Sequence, residues 1–532
     1  MTSGSAPEDG SWVQSRVTPD RCVALVGLET EYGITRDASE AVDPVTESMA
    51  LVRAHMDRPF REAWNYRDED PHRDARGFRV DRLEQDEEED AFTAEDAKRP
   101  FSFREMKSDL ILGNGARFYN DHTHPEYSTP ECLSLIDLAA HDRAGEAIVW
   151  DAARRRNRAL EAAGQPGDVS LYKNNTDFHG HSYGCHDNYL LPRAVPFGEL
   201  ADRVMPFLVS RQVIAGAGKI GVESSGGYLP GRYQLSQRAD FIETDLSVNT
   251  MHHRPLVNTR DEPHADPTRF RRLHLILGDA NMSDYATALK VGTTRLVLDL
   301  IVRGLAPTVS LNDPVDALKA ISLDPELKTV VSCRDGKGMT AVELQGVYLD
   351  AAHRHLAGSS AETDWVLREW ADVLSLLVRD RAALRDRLDW VTKRWLLETF
   401  VEDQRLEWDH PWLASLDLEY HHLDPGRGLY RGLEAEGKVH RLADEAAVAS
   451  ARERGPADTR AAVRGLCVRK FPEEIDSIQW GNVVAKGNVA LDLQGLFHPD
   501  EVRRLVDHLE EATGLAAGIR SWQVLMTSRG DR

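Results

Sequence analysis

The chain has 532 residues, with 65 Lys+Arg against 87 Asp+Glu and a formal net charge of −22 at pH 7. That balance excludes the electrostatic footprint of a general nucleic-acid binder, and it requires any acidic partner to be held by a locally basic groove. Hydrophobic residues make up 41% of the chain, enough for packed cores, but no apolar run of about 18 residues exists to span a membrane.

At roughly 100–200 residues per domain the length predicts two to four domains. The cysteines, Cys22, Cys132, Cys185, Cys333 and Cys467, are odd in number, scattered and never in a C-x-x-C pair. This usage predicts a reducing, cytoplasmic setting and argues against a zinc ribbon or a disulfide scaffold. Met1 to Pro19 has no apolar h-region, so residues 1–20 read as a flexible tail rather than a secretory signal.

Order is expected from Arg21. Cys22 to Leu28 is a short apolar, β-rich run that predicts a strand, and Glu29-Thr30-Glu31-Tyr32-Gly33 follows it. Asp43 to Trp64 has helical spacing, with Met49, Leu51, Val52 and Met56 apolar. Residues 66–100 have almost no aliphatic side chains and carry an acidic run from Glu84 to Asp90. Such a stretch buries too little apolar surface to offset its ordering entropy, which predicts a mobile acidic insertion. It is either a solvated loop or one that gates the site and competes for a basic groove. Order resumes at Met106 to Leu112. Ser134 to Ala163 is a long helical pattern with Ser134 as N-cap. Leu171 to Asn175 and Asp187 to Leu191 read as strands, Phe197 to Ala215 as a helix, Arg272 to Gly278 as a strand and Met282 to Val302 as a helix. Ala361 to Glu402 is mostly helical; short β runs return at Val483 to Leu493, before a helix from Pro499 to Thr513. Strands and helices intersperse without strict βαβ alternation, so the class is α+β with a mostly antiparallel sheet.

Several polar constellations interrupt these elements. Strand period two puts Glu29 and Glu31 side by side on one face. Such a pair repels unless a cation lies between; it suits Mg²⁺, or else one carboxylate is exposed and the other ion-paired. Arg117, Tyr119 and Asp121 alternate onto one face, with Glu126 and Thr129 beyond a turn. Together they offer a phosphate-binding guanidinium, a phenol, and a carboxylate for base or nucleophile work. His122-x-His124 lacks the context of a zinc motif, and packing or solvent-facing histidines fit it better. The polar stretches Lys173 to Asp177 and Ser182 to Tyr189 either line a site or make Asx turns. His274, in an apolar strand, is a core histidine unless other ligands join it. Arg460 and Arg464 fall on one helical face at i,i+4 and can grip phosphate or carboxylate, or make surface ion pairs. Arg211, Arg232, Arg254 and Arg260 complete a scatter of arginines. Neither a Walker A loop nor a G-x-G-x-x-G occurs.

Four of these blocks, Gly27 to Gly33, Asn114 to Glu131, Lys173 to Tyr189 and Gly278 to Ser283, resemble the Pup ligase/depupylase family, carboxylate–amine ligases related to glutamine synthetase. The resemblance covers nearly everything beyond Arg21. It leans to the depupylase side. The ligases usually read Asp-x-Gly-Ser-His-Pro-Glu-Tyr, one residue longer than Asp121 to Tyr127, and the acidic insertion resembles the loop that sets the depupylases apart. Asp187 departs from the family's usual Glu, which puts that position's reach to a ligand in doubt. Residue by residue, the resemblance implies Glu29, Tyr119 and Glu126 as Mg²⁺ ligands, Arg117 and Thr129 as ATP contacts, and Trp480 as an ATP-associated tryptophan. It implies Asp121 as the catalytic aspartate and sets Glu31, His186 and His274 near a second metal or the phosphates.

The implied fold is a large glutamine-synthetase-like domain over residues 21–465, with a curved antiparallel sheet and helices on one side. ATP and Mg²⁺ sit on its concave face. A small C-terminal α/β domain over 466–532 leans on it, since about 65–70 residues are marginal alone. The implied activity is hydrolysis of the side-chain amide of Pup's C-terminal glutamine and of the isopeptide between Pup and target lysines, with ATP, or ADP plus phosphate, kept as a cofactor. The alternatives are ATP-driven ligation of Pup and a non-catalytic Pup-binding module. Implied partners are Pup, an acidic disordered tag, pupylated proteins, and a link to the proteasomal ATPase. Arginines between Arg211 and Arg272 are candidates for the Pup groove.

Overall fold

The computed structural model describes residues 25–38, 42–57, 59–84, 87–224 and 227–530. The expected tail at 1–20 and the start of the first predicted strand lie outside them. An eight-stranded sheet organises the large domain. Its strands are β1 (Val26–Glu31), β2 (Leu110–Ile111), β3 (Arg117–Asp121), β4 (His124–Ser128), β5 (Cys185–Pro192), β6 (Thr244–Ser247), β7 (Pro255–Asn258) and β8 (Phe270–Leu275). The spatial order is β6-β7-β8-β5-β1-β4-β3-β2. Every pair is antiparallel except β6 with β7, so the α+β class holds and the sheet is mixed.

Alternation gives the sheet two unlike faces. On β1, Val26, Leu28 and Thr30 are buried while Gly27, Glu29 and Glu31 alternate with them on the other side. On β5, Cys185, Asp187 and Tyr189 point inward and His186 and Asn188 outward. This is the period-two pattern of a strand with one apolar face.

The helices that position the site are α1 (Pro44–Ala54), α2 (Phe103–Lys107), α3 (Leu135–Ala162), α4 (Phe197–Ala215), α5 (Asp284–Val302) and α6 (Arg460–Lys470). Ser134 caps α3 by accepting from the Asp137 N–H, as expected, and α4 has the predicted bounds. Helix α1 stops well short of Trp64. Pro59 follows, and proline disfavours helix in the residue before it. Leu28, Tyr189, Leu138, Val204, Leu208 and Leu289 join one apolar cluster between the inner face and α3, α4 and α5.

Gly145 of α3 lies under the Tyr127 ring, where an added Cβ would clash with a ring carbon. Alanine gains about 1 kcal/mol of helix propensity over glycine, but overpacking costs about 1–3 kcal/mol. With so short a contact against a buried ring, overpacking wins. Gly145→Ala is expected to lower the urea midpoint without changing the slope; an unchanged or higher midpoint would contradict this packing.

Two expectations change. The boundary after Gly465 falls inside α6, and Val463 and Cys467 of that helix share a cluster with Ile478, Val483, Leu505 and Ile519. The small unit therefore begins with α6 and continues through a three-stranded antiparallel sheet, β9 (Ile475–Gln479), β10 (Asn482–Ala485) and β11 (Val489–Asp492). The 66–100 stretch, expected to be mobile, is tied down in its first part by polar contacts that apolar counting misses. The Asp70 N–H donates to Glu262 at 2.7 Å, the Ala75 N–H to the Thr259 carbonyl at 2.7 Å, and the Thr259 hydroxyl to Asp74 at 2.6 Å. Its acidic part includes a helix, Glu87–Asp96. Among the described residues no helix is long and apolar enough to cross a membrane.

Candidate active site

The outer face of the sheet gathers the polar side chains. Register pairs Glu31 with Glu126 and Glu29 with Ser128 and His186; Tyr119 stands opposite Glu126 on the far strand. Two ligand sets result. Carboxylates of Glu31, Asp121 and Glu126 approach within 4.8 Å of one another, and so do Glu29, His186 and His274. The resemblance grouped Glu31 with the two histidines. The strand register separates them: Glu31 stands opposite Glu126 of β4, while Glu29 stands opposite Ser128 of β4 and His186 of β5.

Electrostatics mark both sets as fit for cations. Burial and the charges of Asp121, Glu31 and Glu29 push the Glu126 carboxyl well above the usual carboxylate range. Burial alone would raise Glu29, but the hydrogen-bonded His186, the adjacent His274 and the nearby Arg272 bring it below that range. His186 Nδ1 lies 3.3 Å from Glu29, and His274 Nε2 lies 3.5 Å from the same oxygen. Both ring nitrogens of His274 are buried without a hydrogen-bond partner. Burial, then Arg272, lowers His274 to about 3, leaving the neutral imidazole that ligates metals. An orphaned imidazole beside a carboxylate, and three crowded carboxylates, are what a cation would satisfy. The all-oxygen set suits Mg²⁺ best.

Asp121 differs from its neighbours. Burial would raise it, but Lys107, His122 and Arg117 hold it far below the usual range, and Lys107 pairs with it directly. Tyr119 keeps its proton through burial and the charges of Glu126, Asp121 and Glu29, with Arg117 opposing, so it borders the set as a phenol. Arg117 is clamped between the Trp64 and Tyr119 rings, at 4.1 and 4.0 Å, and its Nε donates to Asp109 at 2.8 Å.

A cavity of about 90 Å³ opens beside Glu29, lined by Gly27, Thr129, His264, Arg272, Arg460 and Trp480 among others. Thr129 accepts from the Leu28 N–H at 3.0 Å. Trp480 reaches the cavity from the small unit, edge-on to Trp64 at 5.6 Å. Arg460 donates to Glu131 at 2.6 Å and keeps one buried nitrogen without a partner.

Three sequence expectations are corrected. Arg464 does not face the cavity. It is fully buried, donating to Glu131 at 2.6 Å, to the Gly115 carbonyl at 2.7 Å and to the Trp480 carbonyl at 3.0 Å. It is a strut between the sheet and the small unit. Asp187 turns inward, where Arg211 donates to it at 2.6 Å, so neither residue reaches the outer face. Lys173 is buried between Asp142 and Glu146 at 2.7 and 2.8 Å. His124 stacks on Tyr183 at 4.3 Å, a packing histidine that belongs to neither set. Lys107 was missed; nothing in a lone lysine before a two-residue strand announces a contact with Asp121.

Breaking the strut tests its role. Arg464→Met leaves Glu131 to Arg460 alone and strands two carbonyls, and removing one partner of a buried pair costs about 3–5 kcal/mol, here at the low end because Arg460 remains. Denaturant unfolding should show this loss. Burial raises Glu131, but Arg464 and then Arg460 lower it to about 2. Its share of stability is complete above the ordinary carboxylate range and lost as pH falls toward 2, so wild type and variant should converge in acid. A gap that persists there would assign the loss to something other than this pair.

Comparison with known proteins matches the chain to its relatives. The family model described as "Pup-ligase protein" covers residues 24–484. A protein named depupylase from Acidothermus cellulolyticus is 42% identical over 93% of this chain and 99% of its own. One named Pup–protein ligase from Acidimicrobium ferrooxidans is 44% identical over 69% of this chain and 81% of its own. The crystal structure of the ligase PafA with Pup superposes with a TM-score of 0.73 at 32% identity, covering 92% of this chain and 93% of that one. PafA in complex with ADP gives 0.69 at 34% identity, with 82% and 97% covered. A family model matching residues 24–484 and a relative 42% identical over 93% of the chain place it in the Pup-ligase protein family.

Proposed function

We propose that this chain is a nucleotide- and Mg²⁺-dependent amide hydrolase of the Pup pathway. It releases ammonia from a C-terminal glutamine of Pup and frees lysine side chains from Pup–protein conjugates. The observation that supports the hydrolase reading over the ligase reading is the span of the sequence alignment, since structural superposition on PafA also covers 92% of the chain. The depupylase relative aligns along 93% of the chain, and the ligase relative along 69%.

Glu31 and Glu126 would hold one cation, with Tyr119 beside them, and Glu29, His186 and His274 another. When bound, these cations offset the crowded carboxylates and polarise the oxygens of phosphate and substrate carbonyl. The nucleotide fits the cavity between Gly27 and Trp480, its phosphates toward Glu29, with Thr129 and Arg460 in contact and Arg117 beside it. That PafA has been solved in complex with ADP supports nucleotide binding.

Asp121 does the chemistry in one of two ways. As nucleophile it adds to the amide carbonyl carbon, the C–N bond breaks, the amine leaves with a proton, and water opens the resulting anhydride. As general base it takes a proton from the attacking water. Either role needs the ionised carboxylate that the neighbouring cations maintain. Pup, acidic and disordered, would be ordered on binding by basic groups on this side of the sheet. Arg232, Arg254, Arg260 and Arg272 remain candidates, and Arg211 does not. Four described cysteines are free and buried, in keeping with a cytoplasmic setting.

Two parallel incubations separate the readings. With a purified Pup–protein conjugate and MgATP, free target should accumulate. With Pup ending in glutamate, MgATP and a lysine-bearing target, no conjugate should form. Conjugate formation without cleavage would assign the chain to the ligases.

A further inference from the structure

Of the three carboxylates that crowd one set, Asp121 has a lysine to itself. Lys107 pairs with Asp121 and is buried down to 17% side-chain exposure. Its placement is over-determined. The two-turn-or-less helix α2 is closed by a capping box between Ser102 and Glu105. It ends at Ser108 in left-handed backbone, φ 51°. Arg53 donates to the Glu105 carbonyl at 2.7 Å and to the Ser108 hydroxyl at 2.9 Å. Asn120, the neighbour of Asp121 on β3, donates to the Met106 carbonyl at 2.9 Å. Lys107 Nζ then sits 5.7 Å from the centre of the Tyr119 ring and 5.8 Å from that of Phe103. The ammonium thus reaches the strand end through fixed backbone contacts, at a site already shaped around it.

We infer that Lys107 is a positioning residue that reserves Asp121 for the substrate. A cation among three equivalent carboxylates would recruit all three, and a carboxylate bound to it would be a poorer nucleophile or base. The ammonium on one Asp121 oxygen competes for that carboxylate, so the cation is left to Glu31 and Glu126. One arrangement divides the labour among chemically equal groups. The inference rests on the reading of Asp121 under the proposed function.

The test uses the full chain and two variants, Lys107→Met and Lys107→Arg. Deamidation of Pup ending in glutamine gives kcat and KM, and calorimetric titration with MgCl₂ alone gives metal affinity. Lys107→Met should lower kcat at least tenfold, leave KM within threefold, and bind Mg²⁺ more tightly than wild type as Asp121 joins the set. Lys107→Arg, which keeps the charge, should restore kcat to within about threefold of wild type. An unchanged kcat in Lys107→Met would overturn the inference, as would unchanged or weaker Mg²⁺ binding or failure of the arginine to rescue. An inactive wild type would instead count against the function proposed above, while the Mg²⁺ titration would still decide whether Lys107 competes for Asp121.

Discussion

Asp121→Asn is expected to abolish amide cleavage, lowering kcat by roughly 10³-fold or more, on the upper scale for loss of a positioned base or nucleophile. The amide is nearly isosteric, so the sheet register that sets Asp121 opposite His124 survives. What it lacks is a charged oxygen to attack or accept a proton. The variant also leaves the Lys107 ammonium with a neutral amide oxygen in place of a carboxylate, and weakening a charged hydrogen bond costs up to about 1.5–3 kcal/mol. Lys107 is partly solvated, which places the loss at the low end. Single-turnover deamidation, ADP binding and thermal unfolding on the same preparation separate these effects. Cleavage should vanish, ADP affinity should hold within about threefold, and the melting temperature should fall by only a few degrees. Retained cleavage with this profile would move the chemistry to another residue. A non-catalytic Pup-binding module predicts no functional change at all.

Glu126→Gln should trade function for metal-free stability. In wild type Glu126 is buried against Asp121, Glu31 and Glu29, which raise its carboxyl pKa. Like charges this close destabilise the fold until a cation joins them. Neutralising one should raise the melting temperature of the metal-free protein by a few degrees, as active-site substitutions often do. The same change removes an oxygen ligand, so the stabilisation by MgCl₂ should shrink and cleavage should fall at least about 100-fold, the upper loss for a disturbed metal shell. Differential scanning fluorimetry with and without MgCl₂ reads both effects. A metal-free melting temperature below that of wild type, with an undiminished Mg²⁺ response, would mean that Glu126 serves packing rather than charge.

Much of this site was legible in strand periodicity. Glu29 with Glu31, and Arg117 with Tyr119 and Asp121, share faces because alternation is fixed by backbone geometry. Ser134 was legible as a cap for a similarly local reason. What sequence could not supply was the partner across the sheet. Glu29 and Glu31, two residues apart, belong to different candidate sets because the register sets Glu126 opposite Glu31 but Ser128 and His186 opposite Glu29. Arg460 and Arg464 share a helix, yet one lines the cavity and the other is buried as a strut, a difference set by the approach of Gly115 and Trp480. Asp187 alternates with the outward His186 and so faces α4, where Arg211 waits; its departure from the family residue concerns the core and not a ligand. The helix α6 crosses the expected domain boundary because its apolar side serves the small unit while its arginines reach the large one. The net charge of −22 says little about the outer face, where Lys107, Arg117, Arg272 and Arg460 gather.

Pup ending in glutamine, incubated with MgCl₂ and one equivalent of ATP per enzyme, tests the central claim most directly. Mass spectrometry follows the C-terminal residue while nucleotide is quantified in the same samples. Many equivalents of glutamate-ended Pup should form for each ATP converted, since the nucleotide stays as a cofactor. Deamidation stopping at one turnover per ATP, or none by a protein that binds the nucleotide, would contradict the account.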